Sequence, residues 1–173
     1  LGELEEAVNT AREAGANEII LLKCTSSYPA SPIDTNINTI PHLKKLFNCE
    51  IGLSDHTLGI GVSVAAIALG ACVIEKHFTI SKEDGGVDSA FSLEPLEMKS
   101  LAKEAYRAWQ SLGSIKYGPT EKEEENLIFR RSIYVSENIE KGEFFTTKNL
   151  KIVRPGFGDS PSYYERIIGK KSP

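Results

Sequence analysis

Apolar positions along the first 112 residues switch repeatedly between two periods. Leu4, Ala7, Val8, Ala11 and Ala14 recur at helical spacing, and Gly15 supplies a stop. The run EIILLKC, from Glu18 to Cys24, then predicts a short buried strand. A loop rich in Ser, Pro and Asp (25–35) precedes a second helical spacing at Ile37, Ile40, Leu43, Leu46 and Phe47, with Lys44 and Lys45 on its wet side. Residues 51–54 predict a short strand, 61–69 a very apolar helix that Gly70 ends, and Ala71 to Phe78 another buried strand. Pro95 stands where a helix would start, and Met98, Leu101, Ala102, Ala105, Trp109 and Leu112 mark one face of that helix.

This order alternates helices with three strands, separated as right-handed βαβ units require, so a parallel sheet is expected. The pattern does not separate a barrel from a doubly wound sheet, and three strands are few for either. The chain also starts in or just before a helix and without an initiator Met, so it reads as part of a longer protein. Beyond Gly113 the texture changes. SIKYGPTEKEEENLIFRR is polar and suits a linker, with Glu121 to Glu125 a solvated face rather than an acidic site. RSIYVSENIEKGEFFTTKNLKIVRPGFG follows as short β-like stretches broken at Lys141-Gly142 and Pro155-Gly156, a small turn-rich module.

Composition narrows the functional classes. At 40% hydrophobic and 25% charged residues the chain is globular rather than disordered. A net charge of -4, with dispersed Lys and Arg, argues against nucleic acid and anionic lipid as partners. Ile60 to Ile74, the longest weakly polar run, is interrupted by Gly61 and Gly70 and is shorter than the ~20 residues a bilayer span needs, so no membrane association is expected. The N-terminus lacks a signal-peptide pattern. Cys24, Cys49 and Cys72 are odd in number and have no CxxC spacing, which fits reduced thiols in a cytoplasmic protein.

Candidate chemistry collects at the strand ends. Residues two apart on a strand point to the same side, which pairs Ser26 with Tyr28, Ser54 with His56, and Glu75 with His77. In parallel α/β folds the C-terminal strand ends carry the site, so these six side chains are placed as a binding cleft would place them. Two of the three histidines in the chain are among them. Structural readings stand beside the functional one. His56 and His77 serve either as hydrogen-bonded structural residues or as a metal pair. Glu75 is either a cleft carboxylate or the buried partner of Lys76. Tyr28, Ser26 and Ser54 could cap or hydrogen-bond the backbone, Asp88 could be a turn residue, and His42 reads as structural. The Gly59, Gly61 pair lacks the rest of a dinucleotide fingerprint.

Seven motifs, taken in order, carry a resemblance. KCTSSYP (23–29), GLSDHTLG (52–59), IEKHFT (74–79), DSAFSLEP (88–95), YGPTEKE (117–123), FRRSIYV (129–135) and VRPGFG (153–158) closely resemble the sialic acid synthase family, especially its pseudaminic acid synthase branch. The resemblance implies an α/β fold: the C-terminal part of a (β/α)8 TIM barrel followed by a small antifreeze-like (SAF, β-clip) domain. On that basis residues 1–112 are strands six to eight of the barrel with their helices, 113–127 a linker, and 128–173 a SAF domain that stops early. It also implies a transferase that condenses phosphoenolpyruvate with an N-acetylated hexose and releases phosphate. With half of the barrel missing, a chain of this length is expected to be inactive by itself.

Carried over position by position, His56 and His77 resemble the two protein ligands of a divalent metal, Mn2+ or Mg2+, with Glu75 beside them as a catalytic group. Ser54 resembles a phosphoenolpyruvate contact, and Tyr28, Glu75 and Asp88 resemble positions around the sugar. Arg154 resembles the arginine that the small domain inserts over a partner subunit's barrel, which implies a domain-swapped homodimer. Ser26 stands where sialic acid synthases usually carry Asn, a departure that fits the pseudaminic branch. The alternatives are an N-acetylneuraminate or legionaminate synthase, a metal-dependent hydrolase or aldolase on the same barrel, and a non-catalytic sugar-binding fragment.

Overall fold

The computed structural model describes residues 1–173, which divide into two compact units, Leu1–Ser114 and Ile115–Pro173. The first runs α1 (Gly2–Glu13), β1 (Ile20–Cys24), α2 (Thr39–Phe47), β2 (Glu50–Asp55), α3 (Gly61–Ala68), β3 (Ile74–Lys76) and α4 (Pro95–Leu112). The strands form one all-parallel sheet in the order β1-β2-β3. Each strand is followed by a helix, the arrangement that parallel pairing demands.

Period-two alternation divides the sheet into two faces. Leu21, Ile51, Leu53 and Ile74 point toward the helices and pack with Val8, Ile40, Leu43, Phe47 and Ala66 into the core. On α2, Ile40, Leu43 and Phe47 are buried at helical spacing, whereas the expected apolar position Leu46 is exposed. Asn48 then ends the helix in a left-handed conformation at φ 48°, which asparagine tolerates. The Arg12 guanidinium in the last turn of α1 donates to the Phe47 carbonyl at 2.8 Å, tying the two helices. The opposite face carries Ile20, Leu22 and Val73, which remain 50%, 37% and 38% exposed. Between the last two lies Gly52, where a Cβ would come within 2.5 Å of Leu22 Cδ2 and 2.6 Å of the Val73 carbonyl. Only glycine allows that approach.

Three expectations change. β3 spans three residues rather than Ala71 to Phe78, because the chain beyond Lys76 pairs elsewhere: the His77 carbonyl accepts from Leu93 N, and Phe78 bridges to Leu93. The apolar stripe of α4 is buried only at Leu101. Trp109 and Leu112 are exposed, and Trp109 stacks on Tyr106 with ring centroids 5.8 Å apart. Lys76, a candidate partner for Glu75, turns to the helix-covered face and pairs with Asp55.

In the second unit, β4 (Ser132–Val135) and β5 (Leu150–Val153) pair antiparallel, after helical turns at Glu121–Glu124 and Glu125–Phe129. Within this unit the Tyr134 hydroxyl donates to the Pro155 carbonyl at 2.9 Å and accepts from Phe157 N at 3.3 Å. A Cβ on Gly156 would stand 2.7 Å from the Leu127 carbonyl, and one on Gly158 2.6 Å from that of Ile133. The loop that follows Arg154 is therefore locked by close backbone packing and one tyrosine.

Candidate active site

Register places Cys24, Ser54 and Glu75 side by side across the three strands, on the face away from the helices. Continuing the alternation by two residues puts His56 and His77 on that side. The structure brings their rings to a centroid distance of 5.1 Å, edge to face. Tyr28, reaching in from the loop after β1, packs 4.4 Å from His56 and 6.1 Å from His77. Ser54 Oγ donates to Glu75 Oε1 at 2.7 Å, so the first members of the second and third predicted pairs bind each other. A hydroxyl aimed at one carboxylate oxygen holds that group in one orientation.

Each histidine has one ring nitrogen beside a polar oxygen. His56 Nδ1 lies 3.0 Å from the Thr25 carbonyl. Because a carbonyl only accepts, the proton is assigned to Nδ1 and the Nε2 lone pair is left free. His77 Nδ1 lies 3.4 Å from Asp88 Oδ2, a charge-pair distance that by itself assigns no tautomer to the second ring. Asp88 is therefore more than a turn residue: its carboxylate stands beside the His77 ring. Ser26 sits at the rim, with its hydroxyl 3.7 Å from Cys24 Sγ and no hydrogen bond to the other site residues. Arg154 belongs to the second unit, exposed directly after β5.

Two features were not marked by the sequence. Phe91 is buried with its ring 5.0 Å from His77, 5.7 Å from Tyr28 and 6.5 Å from His56, so it forms the apolar wall of the histidine pair. Its only signal was membership of DSAFSLEP, three residues after Asp88. The other feature is the layer behind the site, where Asp55 accepts from Thr57 N and Oγ1, Ser63 Oγ and Lys76 Nζ. Burial pushes the Asp55 carboxyl up, but hydrogen bonds from Ser63, Lys76 and Thr57 outweigh it and hold the group below the ordinary carboxylate value. No set of three or more His, Cys, Asp and Glu side chains is arranged around one point as a metal cage. A cavity of about 400 Å3 lined by Arg12, Glu18, Lys44 and Glu50 opens at the N-terminal ends of the strands, the end of a parallel sheet that serves stability rather than chemistry.

Histidines and a hydroxyl-anchored carboxylate at the C-terminal ends of parallel strands occupy the place where parallel α/β folds carry their sites, and comparison with known proteins identifies the family. The NeuB family model matches residues 1–117 and the SAF domain model residues 130–173, so the chain belongs to the NeuB family and carries a SAF domain. Among relatives, it is 44% identical over 170 residues to the pseudaminic acid synthase of Campylobacter jejuni subsp. jejuni serotype O:23/36 (strain 81-176), covering 98% of this chain and 50% of that one. It is 43% identical over 173 residues to the N,N'-diacetyllegionaminic acid synthase of Campylobacter jejuni subsp. jejuni serotype O:2, covering 98% and 52%. Among solved structures it resembles the N-acetylneuraminic acid (sialic acid) synthetase of Leptospira borgpetersenii serovar Hardjo-bovis, with a TM-score of 0.65 and 39% identity over 73% of this chain and 44% of that one. The chain spans about half the length of the curated relatives it matches. The expected fold class and family resemblance are both borne out.

Proposed function

We propose that the chain supplies the C-terminal part of a nonulosonic acid synthase of the pseudaminic type, an enzyme that joins phosphoenolpyruvate to an N-acetylated hexose. In that reaction the methylene carbon of phosphoenolpyruvate bonds to the aldehyde carbon of the sugar, water adds at the adjacent carbon, and phosphate leaves. The observation that carries the reading is the convergence of His56, His77 and the Ser54–Glu75 pair on one face of the sheet.

The donor set fits a divalent cation. The two imidazoles stand side by side, and the carbonyl on His56 Nδ1 and the carboxylate beside His77 Nδ1 are of the kind that outer-shell partners of ligating histidines normally are. Two protein ligands, with the remaining positions open, suit an exchangeable Mn2+ better than Mg2+, which prefers oxygen. When bound, such an ion supplies Lewis-acid polarisation of the aldehyde oxygen. His56 and His77 hold it; Ser54 orients Glu75 and contacts phosphoenolpyruvate. Phe91 walls off one flank, while Ser26, Tyr28, Glu75 and Asp88 border the sugar. Arg154, through its planar fork, suits the sugar's acyl carbonyl in a partner subunit's barrel, which makes a homodimer part of the reading. A cytoplasmic setting belongs to the same reading, supported by three free cysteines and by the absence of any helix long and apolar enough to cross a membrane.

The test places this chain behind the first barrel half of a pseudaminic acid synthase and measures phosphate release with Mn2+, phosphoenolpyruvate and the bis-acetamido trideoxy hexose of pseudaminic configuration. Turnover that is abolished by EDTA and reduced at least a hundredfold by His56→Ala is expected. No release with this sugar overturns the pseudaminic reading. Release with the legionaminic precursor sugar or with N-acetylmannosamine instead would favour the second reading, which the 43% identity to a legionaminic acid synthase supports.

A further inference from the structure

The ladder between β2 and β3 has three rungs, and its last rung pairs Asp55 with Lys76. The next residue on each strand is a site histidine, and beyond this rung the two backbones part. The His56 carbonyl accepts from Ala30 N and the His77 carbonyl from Leu93 N. The Asp55–Lys76 rung is therefore the last point at which the two strands hold each other before the rings.

At that rung a second tie runs through side chains on the helix-covered face. Lys76 Nζ donates to Asp55 Oδ2 at 2.9 Å and to the Thr57 carbonyl at 2.6 Å. One ammonium thus grips the residues on both sides of His56 while its own Cα adjoins His77. Asp55 is held in turn: Oδ2 accepts from Ser63 Oγ of α3 at 2.6 Å, and Oδ1 accepts from Thr57 N at 2.8 Å and Thr57 Oγ1 at 2.7 Å. The Lys76 and Asp55 side chains are 1% and 0% exposed. A buried ion pair is a poor source of net stability, since apolar residues of the same volume do as well or better. Its distinguishing property is direction: five short hydrogen bonds define one geometry, whereas an apolar plug would let the strand ends slide.

We propose that Lys76 and Asp55 are positioning residues that set the spacing and orientation of His56 and His77 from the opposite face of the sheet. The importance of that spacing rests on reading the histidines as metal ligands, but the spacing itself is observable without metal.

The experiment uses the 173-residue chain with 15N-labelled histidine. In the metal-free wild type, nuclear Overhauser effects between the His56 and His77 rings are expected. In Lys76→Met, which fills similar volume without charge, those effects should vanish and both ring 15N signals shift, with the thermal midpoint lowered because the Asp55 charge is left unpaired and with the dispersion of the other resonances retained. Mn2+ affinity, read from the EPR signal of the free ion, should fall at least tenfold. Should Lys76→Met fail to fold, Asp55→Asn, which keeps the shape and loses the charge, is read in the same way. A folded variant with unchanged ring-to-ring effects and unchanged Mn2+ affinity overturns the proposal. Disappearance of the ring-to-ring effects in Lys76→Met, with no Mn2+ bound even by wild type, would support the positioning role and reject the metal reading instead.

Discussion

At the scale of single residues, alternation along a strand separates groups that look alike in sequence. Glu75, Lys76 and His77 are consecutive and polar, yet Glu75 and His77 face the site while Lys76 lies among the helices. Phe91 is where local pattern stops being informative, because nothing in the spacing of DSAFSLEP says that an aromatic will close over two imidazoles. Phe91→Ala should lower unfolding free energy by about 3 kcal/mol, the usual cost of emptying a buried aromatic position. The same change should shift the ring protons of His77 more than those of His56, which stays packed on Tyr28. Chemical denaturation and proton spectra check the two effects. Tyr134→Phe should cost about 1 kcal/mol for the missing hydroxyl hydrogen bonds and speed amide exchange at Phe157, measured by hydrogen exchange.

At the scale of elements, helix limits follow from local signals and strand limits from pairing. Pro95 and the capping box of Glu94 and Glu97 begin α4 where the sequence placed it. β3 is shorter than its apolar run because Leu93 captures the chain after Lys76. Glu97 provides a pH test. Its carboxylate accepts from the Glu94 backbone N–H and from Lys82, which hold its pKa below the ordinary value. A carboxyl depressed on folding stabilises the fold above its unfolded pKa of 4.5, and that contribution disappears as pH falls through the lower folded value. Urea midpoints of wild type should therefore converge on those of Glu97→Gln as pH falls from about 7 to about 3. Exposure of the side chain keeps the difference at neutral pH small. In β2, Gly52→Ala should destabilise by roughly 1–3 kcal/mol through overpacking, because the added Cβ meets the Val73 backbone, which has no rotamer with which to yield.

At the scale of the whole molecule, the chain joins two units of different construction, a parallel α/β sheet and a small antiparallel module. The helix-facing side of the sheet is filled, whereas the opposite side leaves Ile20, Leu22 and Val73 largely open. Each unit has its own hydrogen-bonded pairings, so residues 115–173 expressed alone should retain the β4–β5 ladder. Dispersed amide resonances with cross-strand Overhauser effects between Ile133 and Ile152 are the expected result, and a collapsed amide envelope would contradict it.

The sequence by itself determined the element types, their parallel order and the parity that places His56 and His77 on one side, since these depend on backbone geometry repeated every two or three to four residues. Tertiary structure decided which groups meet. Glu75 binds Ser54 and Lys76 binds Asp55 although 21 residues separate each pair, and Phe91 covers rings borne by two strands. Adjacent Glu75 and Lys76 could equally have paired on composition alone. Pleating turns them to opposite faces, where burial obliges Lys76 to find its partner on β2 and adjacency brings the exposed Glu75 to Ser54.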